Sequence, residues 1–316
     1  QELPAAGEEE LRTWFHQGRS GSLPRYLEAF AHTVGVMRDG EACRRVAFEA
    51  GVDLAADGVV YAEVRFGPGL HVPFGMRREE VIEAVLDGFA AAAAETGIAL
   101  HAIVTALRHM ADSEDVARAA VRFAGEGVVA FDLAGPEAGY PADDHLAALR
   151  IASEAGLGLS IHAGEGDGPE SMWRAIARCR AQRIAHGVRI IDDTVLRDGD
   201  VVEVGALARR VRDHRIHLEV APTSNLHTGT FPDATRHPLG ALYRAGFNIG
   251  INTDNRLMSG VTVSDEYAFA VEHHGFTVAD LGAVTEAALH AGFGDWPQRR
   301  RLIEGVVRPA YASAAG

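Results

Sequence analysis

The stretch Leu157-Gly158-Leu159-Ser160-Ile161-His162-Ala163-Gly164-Glu165 decides the fold. A short apolar run from Leu157 to His162 reads as a buried strand and ends in polar residues and a glycine. Pro169 then sits where a helix through Met172, Ile176 and Cys179 begins, because its fixed φ suits a first helical turn. A second strand, Arg183 to His186, follows that helix. Working outward, the same rhythm gives strands at Val59 to Phe66, Leu100 to Leu107, Val128 to Leu133, Ile216 to Val220 and Phe247 to Asn252. Between them the apolar period lengthens, as in Ile82, Val85 and Phe89 or Val116, Ala120 and Phe123, which is one face of a helix. Ser113 or Asp112 is placed to cap the second of these helices. Strands alternating with helices predict an α/β fold with a parallel sheet, here a TIM-type (β/α)8 barrel.

The seven strands fall one short of the eight of that barrel. Residues 1–57 contain helices (Leu11 to Phe15; Val46, Ala50, Leu54) and no convincing strand, and the chain begins with Gln1. The expectation is that the first βα unit lies upstream of Gln1. No linker, composition shift or short repeat divides the 316 residues, so a single barrel domain is expected over 1–316.

A hydrophobic content of 47% supports a sizeable core, and 30 basic against 44 acidic residues, net -14, argue against a nucleic-acid partner. Only Cys43 and Cys179 occur, too few for a disulfide framework, which points to the cytoplasm. No secretory leader is read, and no membrane span: the alanine run Ala90 to Ala94 is flanked by Asp87 and Glu95.

Barrel enzymes draw their catalytic groups from the carboxyl ends of several strands. Three of these strands end in unusual chemistry: His162-Ala163-Gly164-Glu165, Ala185-His186-Gly187 and Asn252-Thr253-Asp254-Asn255. Without thiolates, a zinc site takes imidazole nitrogen and carboxylate oxygen, so His162 and Asp254 are the candidate ligands. Gly164 lets the backbone turn so that Glu165 serves as a general acid or base, and His186 holds or deprotonates the same water. Taken singly, a His at a strand end is more often structural and an Asp after Thr more often a turn. Three such ends on one rim favour the site.

Other features take the plainer reading. Gly164, Gly166 and Gly168 mimic a dinucleotide loop but lack its spacing, and Glu165 and Asp167 would repel pyrophosphate. Glu63 and Arg65 share a strand face and read as a structural ion pair inside the barrel. His273-His274 and Arg209, Arg210, Arg212 and Arg215 read as solvated helix faces. His71 stays undecided, and His16, His227, His237 and His290 carry no readable chemistry. The Pro-x-Cys-x-x-Cys pattern of the other zinc deaminases is absent.

Across roughly Ser22 to Tyr311, six motifs in this order resemble the adenosine deaminase family of metal-dependent amidohydrolase barrels. They are Val60 to Phe66, Phe131-Asp132-Leu133-Ala134-Gly135, His162 to Glu165, Arg183 to Gly187, Pro222-Thr223-Ser224-Asn225 and Asn252-Thr253-Asp254. The resemblance implies one Zn2+ per chain, held in part by His162 and Asp254. It implies Glu165 as the acid that protonates the purine N1, and His186 as the group that orients and activates the attacking water. It also implies that Gly135 offers its backbone N–H to the purine N3. The implied reaction is attack of that water on C6 of adenosine or 2'-deoxyadenosine, with loss of ammonia to give inosine or 2'-deoxyinosine. The early helices around Trp14, Tyr26 and Phe30 become the candidate lid.

Two departures stand out. Asn255 occupies the place of a family Asp that contacts the purine N7, where an amide N–H donates directly. Thr253 to Ser259 resembles the bacterial, actinomycete-type branch. Further, the family's His-x-His pair on the first strand has no counterpart here; one omitted unit of roughly thirty residues accounts for this. Were Gln1 the true start, weak zinc binding and negligible activity would follow, two protein ligands being too few. The expected partner is a small purine nucleoside, with no nucleic acid or membrane, and the chain a monomer or weak homo-oligomer. The competing readings are a deaminase of adenine or another aminopurine nucleoside or nucleotide, and a catalytically dead barrel that binds a nucleoside or a protein partner.

Overall fold

A computed structural model describes residues 4–16, 18 and 20–314. The strands are Tyr61–Phe66 (β1), Ala99–Leu107 (β2), Val128–Ala134 (β3), Gly158–Ala163 (β4), Arg183–His186 (β5), Thr194–Arg197 (β6), Asp200–Val204 (β7), His217–Val220 (β8) and Ile249–Ile251 (β9). All seven expected strands form, each within two residues of its expected ends. They pair in parallel in one curled sheet, ordered β1-β2-β3-β4-β5-β8-β9, which makes a half-barrel with helices on its outside. Among the described residues β1 and β9 are not paired with each other, so the sheet is open between them.

The expected rhythm missed the antiparallel hairpin β6-β7 between β5 and β8. Its signal is Asp198-Gly199, both with positive φ (53° and 85°), the dipeptide that a two-residue hairpin turn prefers.

The outer faces of the strands carry the main core. Val104, Phe131, Leu133, Ile161, Ile184 and Leu218 are buried against helices whose apolar stripes include Ile82, Val85, Phe89, Val116 and Ala120. The helices begin where the chain supplies acceptors for their free N–H groups. Asp39 caps Gly40–Ala56 by accepting from the Ala42 N–H at 2.8 Å, and Thr262 with Asp265 and Thr277 with Asp280 form capping boxes. Asp112 stands at the N-cap of Ser113–Val121 but its side chain does not cap; its carboxylate pairs with Arg78 at 2.7 Å. The helix opened by Pro169 runs to Trp173 and continues as a wider π turn over Arg174–Arg178.

The inner face is polar. Glu63 and Arg65 do lie inside, but not paired to each other as expected. Glu63 meets Arg183 at 2.5 Å, while Arg65 meets Glu219 and lies 3.3 Å from Asp132. Two residues apart on one strand, they point the same way and reach across the curl instead of along it. Arg183 also reaches Glu219 at 2.6 Å and stacks on the Phe293 ring. Among the described residues no helix is long and apolar enough to cross a membrane.

Candidate active site

β4 and β5 run in register, with His162 opposite Ala185 and Ala163 opposite His186. Strict alternation along β5 therefore sends His186 to the face opposite Arg183 and Ala185. It does not stay there. His186 has φ +60°, a left-handed conformation rare for a side-chain-bearing residue, and this turns its ring back to lie 5.4 Å from that of His162. Asp254, at φ +53° beyond β9, makes a similar reversal. Among the described residues, two of the five non-glycine residues with positive φ are thus expected site residues.

The structure gathers four of the six expected residues into one cluster. His162 sits at the end of β4 and uses Nδ1 to meet Asp132 Oδ1 at 3.0 Å, which leaves Nε2 available to a ligand. His186, 3% exposed, has Nε2 at 3.6 Å from Glu165 Oε2 and 4.0 Å from Asp254 Oδ2. Burial pushes the Glu165 carboxyl up; His186 opposes this and Asp254 adds to it. Glu165 Oε1 is fully buried with no hydrogen-bond partner, the kind of polar atom that a bound molecule satisfies.

The turn that presents Glu165 depends on Gly164. At φ +73°, a Cβ there would come within 2.5 Å of Met172 Sδ and 3.3 Å of the Gly187 backbone. Four successive main-chain N–H groups of this turn, Gly164, Glu165, Gly166 and Asp167, donate to the buried Glu137 carboxylate at 2.7–3.0 Å.

Gly135 follows β3 directly, at φ +95°, where a Cβ would lie 3.0 Å from His109 Nδ1. The neighbouring Arg108 binds the His162 carbonyl at 2.5 Å, which ties this loop to the β4 rim. Asn255 donates from Nδ2 to Asp254 Oδ1 at 2.8 Å, so its amide is engaged with the carboxylate beside it.

Several residues gain a contact that the sequence reading gave them no role for. Ser224 and Asn225, buried in the helix Pro222–His227 after β8, reach Asp254 Oδ2 at 2.7 Å and His186 Nδ1 at 3.1 Å. His237, given no chemistry above, reaches Asn225 Oδ1 at 3.2 Å. Tyr26 bonds to Ser259 at 2.9 Å and packs with Phe15, Ala29 and Met258, joining the early helices to the segment after β9. His274 is not a wholly solvated residue: its ring is 6.0 Å from that of His237. His71 is buried and bonds to the Met37 carbonyl at 2.8 Å.

The family model described as Adenosine deaminase matches residues 1–309. The chain belongs to the adenosine deaminase family. It is 48% identical over its whole length to the adenosine deaminase of Mycobacterium sp. (strain JLS), of which it covers 89%, and 46% identical, again over its whole length, to that of Mycobacterium tuberculosis (strain ATCC 25618 / H37Rv), covering 88%. Two solved structures share the fold. The adenine deaminase from Arthrobacter aurescens superposes with a TM-score of 0.86 at 24% identity, over 98% of this chain and 90% of that one. An amidohydrolase from Burkholderia ambifaria with bound Zn superposes with a TM-score of 0.77 at 25% identity, over 100% and 80%. Like the two mycobacterial relatives, this family member is a hydrolytic deaminase.

The donors fit half of a zinc site. An imidazole whose far nitrogen is held by a carboxylate is the arrangement that fixes a metal-ligating histidine, and His162 with Asp132 has it. Among the described residues, however, no group of three or more His, Cys, Asp or Glu is gathered as a metal cage, and the sequence contains no His-x-His pair.

Proposed function

We propose that this member of the family converts adenosine and 2'-deoxyadenosine, with zinc, to inosine and 2'-deoxyinosine and ammonia, in a single barrel domain. The observation that carries the reading is the buried pair Glu165 and His186, with the more exposed Asp254 beside His186 and Glu165 Oε1 left unpartnered. His162 and Asp254 would hold the ion. When bound, zinc lowers the pKa of water from about 15.7 to about 7 and so makes it nucleophilic near neutrality.

The chain's own residues do the rest. Glu165, whose carboxyl is pushed up by burial, keeps its proton more readily than a surface carboxyl and delivers it to N1 as water adds to C6. His186 orients the water. The Gly135 N–H and the Asn255 amide hold N3 and N7. Ammonia then leaves as the C6 carbonyl forms, which balances the addition of one water. We read the partner as a free purine nucleoside, the chain as a monomer or weak homo-oligomer, and its place as the cytoplasm; both cysteines are unpaired and buried.

The test is ammonia release, with zinc in excess, from adenosine, 2'-deoxyadenosine, adenine and AMP. The nucleosides should turn over fastest. A preference for adenine or AMP would reassign the substrate, and no release from any of them would remove the activity.

A further inference from the structure

Behind His186 a chain of three hydrogen bonds begins at a donor whose direction is fixed. The main-chain N–H of Leu239 donates to His237 Nδ1 at 3.3 Å. That nitrogen must therefore carry a lone pair. The His237 ring is buried among the rings of Phe231, Phe269 and His274, and burial lowers its pKa to about 3, with His274 and His186 adding to the effect. It is neutral, and its one proton sits on Nε2. Nε2–H faces Asn225 Oδ1 at 3.2 Å, which fixes which end of the amide is which. The Asn225 NH2 then donates to His186 Nδ1 at 3.1 Å. An N–H pointing at Nδ1 leaves no room for a proton there.

We propose that His237, acting through Asn225, sets His186 as the tautomer protonated on Nε2, so that His186 meets the reacting water as a hydrogen-bond donor and not as a base. The proton that the water sheds restores Glu165, which has given its own to N1, and the remaining hydroxyl proton leaves with ammonia, while the His186 ring keeps its own. His237 and Asn225 are positioning residues, because they act through His186 Nδ1, the ring nitrogen other than the one that meets Glu165. The inference rests on the catalytic reading of His186 given above, but its structural half can be measured without it.

The experiment is a long-range 1H–15N correlation spectrum of the full chain labelled with 15N-histidine, with His186 assigned by the signal lost in His186→Gln. Wild type should show a protonated ε nitrogen and a bare δ nitrogen on His186. Asn225→Asp, which offers only acceptors, should move the proton to Nδ1. His237→Gln places an amide donor where Nε2–H stood and should keep the wild-type pattern, whereas His237→Leu should lose it. In zinc excess, Asn225→Asp and His237→Leu should lower kcat about 10²-fold with little change in KM. A δ-protonated His186 in wild type, or a tautomer indifferent to Asn225→Asp, overturns the proposal. A tautomer that moves while turnover does not would leave the hydrogen-bond chain standing and remove His186 from the chemistry.

Discussion

The carboxylate of Glu137 accepts the main-chain N–H of Glu165 at 3.0 Å, together with those of the residue before it and the two after it. One side chain from the β3 loop thus holds the turn that carries the proposed proton donor. Glu137→Gln replaces an acceptor oxygen with an NH2 facing other N–H groups. We expect kcat to fall about 10²-fold, the usual effect of misplacing a catalytic group by about 1 Å, with a smaller change in KM. Steady-state kinetics on adenosine with zinc in excess measure both.

Asn255 bonds to Asp254 and is proposed to reach N7. Asn255→Ala should lower kcat/KM for adenosine by about 3- to 10-fold, the equivalent of one ordinary hydrogen bond. An unaltered kcat/KM would remove Asn255 from substrate recognition.

Glu219 lies between two guanidinium groups, Arg65 and Arg183, and these hold its carboxyl well below the usual range in spite of burial, which alone would raise it. Glu219→Gln leaves both cations facing a neutral amide inside the barrel, although Arg65, with 28% of its side chain exposed, can recover some hydration. Breaking a buried pair typically costs about 3–5 kcal/mol, and the partial exposure of Arg65 favours the lower end. Urea denaturation should read this loss, while Glu8→Gln, which breaks the exposed pair with Arg12, should leave the midpoint unchanged.

Burial pushes the Glu266 carboxyl up to about 8, against the Thr223 N–H that favours its ionised form. Between the ordinary value of 4.5 and about 8 the folded chain therefore holds a proton that the unfolded chain has released. The stability this gives is complete below 4.5 and lost as pH rises through about 8. His237 and His217 act in the opposite direction. Burial lowers them to about 3 and about 4 from 6.5, so their contribution is complete above 6.5 and lost as pH falls toward those values. Thermal melts should show Glu266→Gln gaining on wild type as pH rises from 5 toward 8. They should show His237→Gln gaining as pH falls below 6.5. Parallel pH profiles for all three proteins would contradict both assignments.

With His162 and Asp254 as its proposed ligands, the chain should take up zinc weakly and lose it on dialysis, since catalytic zinc sites use about three protein ligands. A competition titration against a chromophoric chelator measures this. Stoichiometric, tight binding that His162→Ala leaves intact would place the metal elsewhere.

Much of this arrangement was legible in the chain. Short apolar runs ending in His162, His186 and Asn252-Thr253-Asp254 gave the strands and the rim together, because a parallel sheet under helices needs apolar strands and its carboxyl ends carry the chemistry. What stayed hidden depended on contacts between distant segments. Alternation alone would send His186 to the outer face, and nothing local announces the left-handed backbone that brings it to the site it was expected to join. Glu137 and His237 were silent because each acts through a turn or amide that folding brings to it. Glu63 and Arg65 were assigned to the right place with the wrong partners, since adjacency along a strand was visible and the curl of the sheet was not.

The open sheet leaves β1 and β9 each with one neighbour among the described residues, and every residue of β1 is half-buried. A strand edge of this kind offers a row of unsatisfied amides to any extended chain, including a second copy at high concentration. The ionised side chains of Glu63 and Arg65, set on the inner face of that edge strand, make an indiscriminate match expensive. They act as gatekeepers against aggregation as well as struts of the interior.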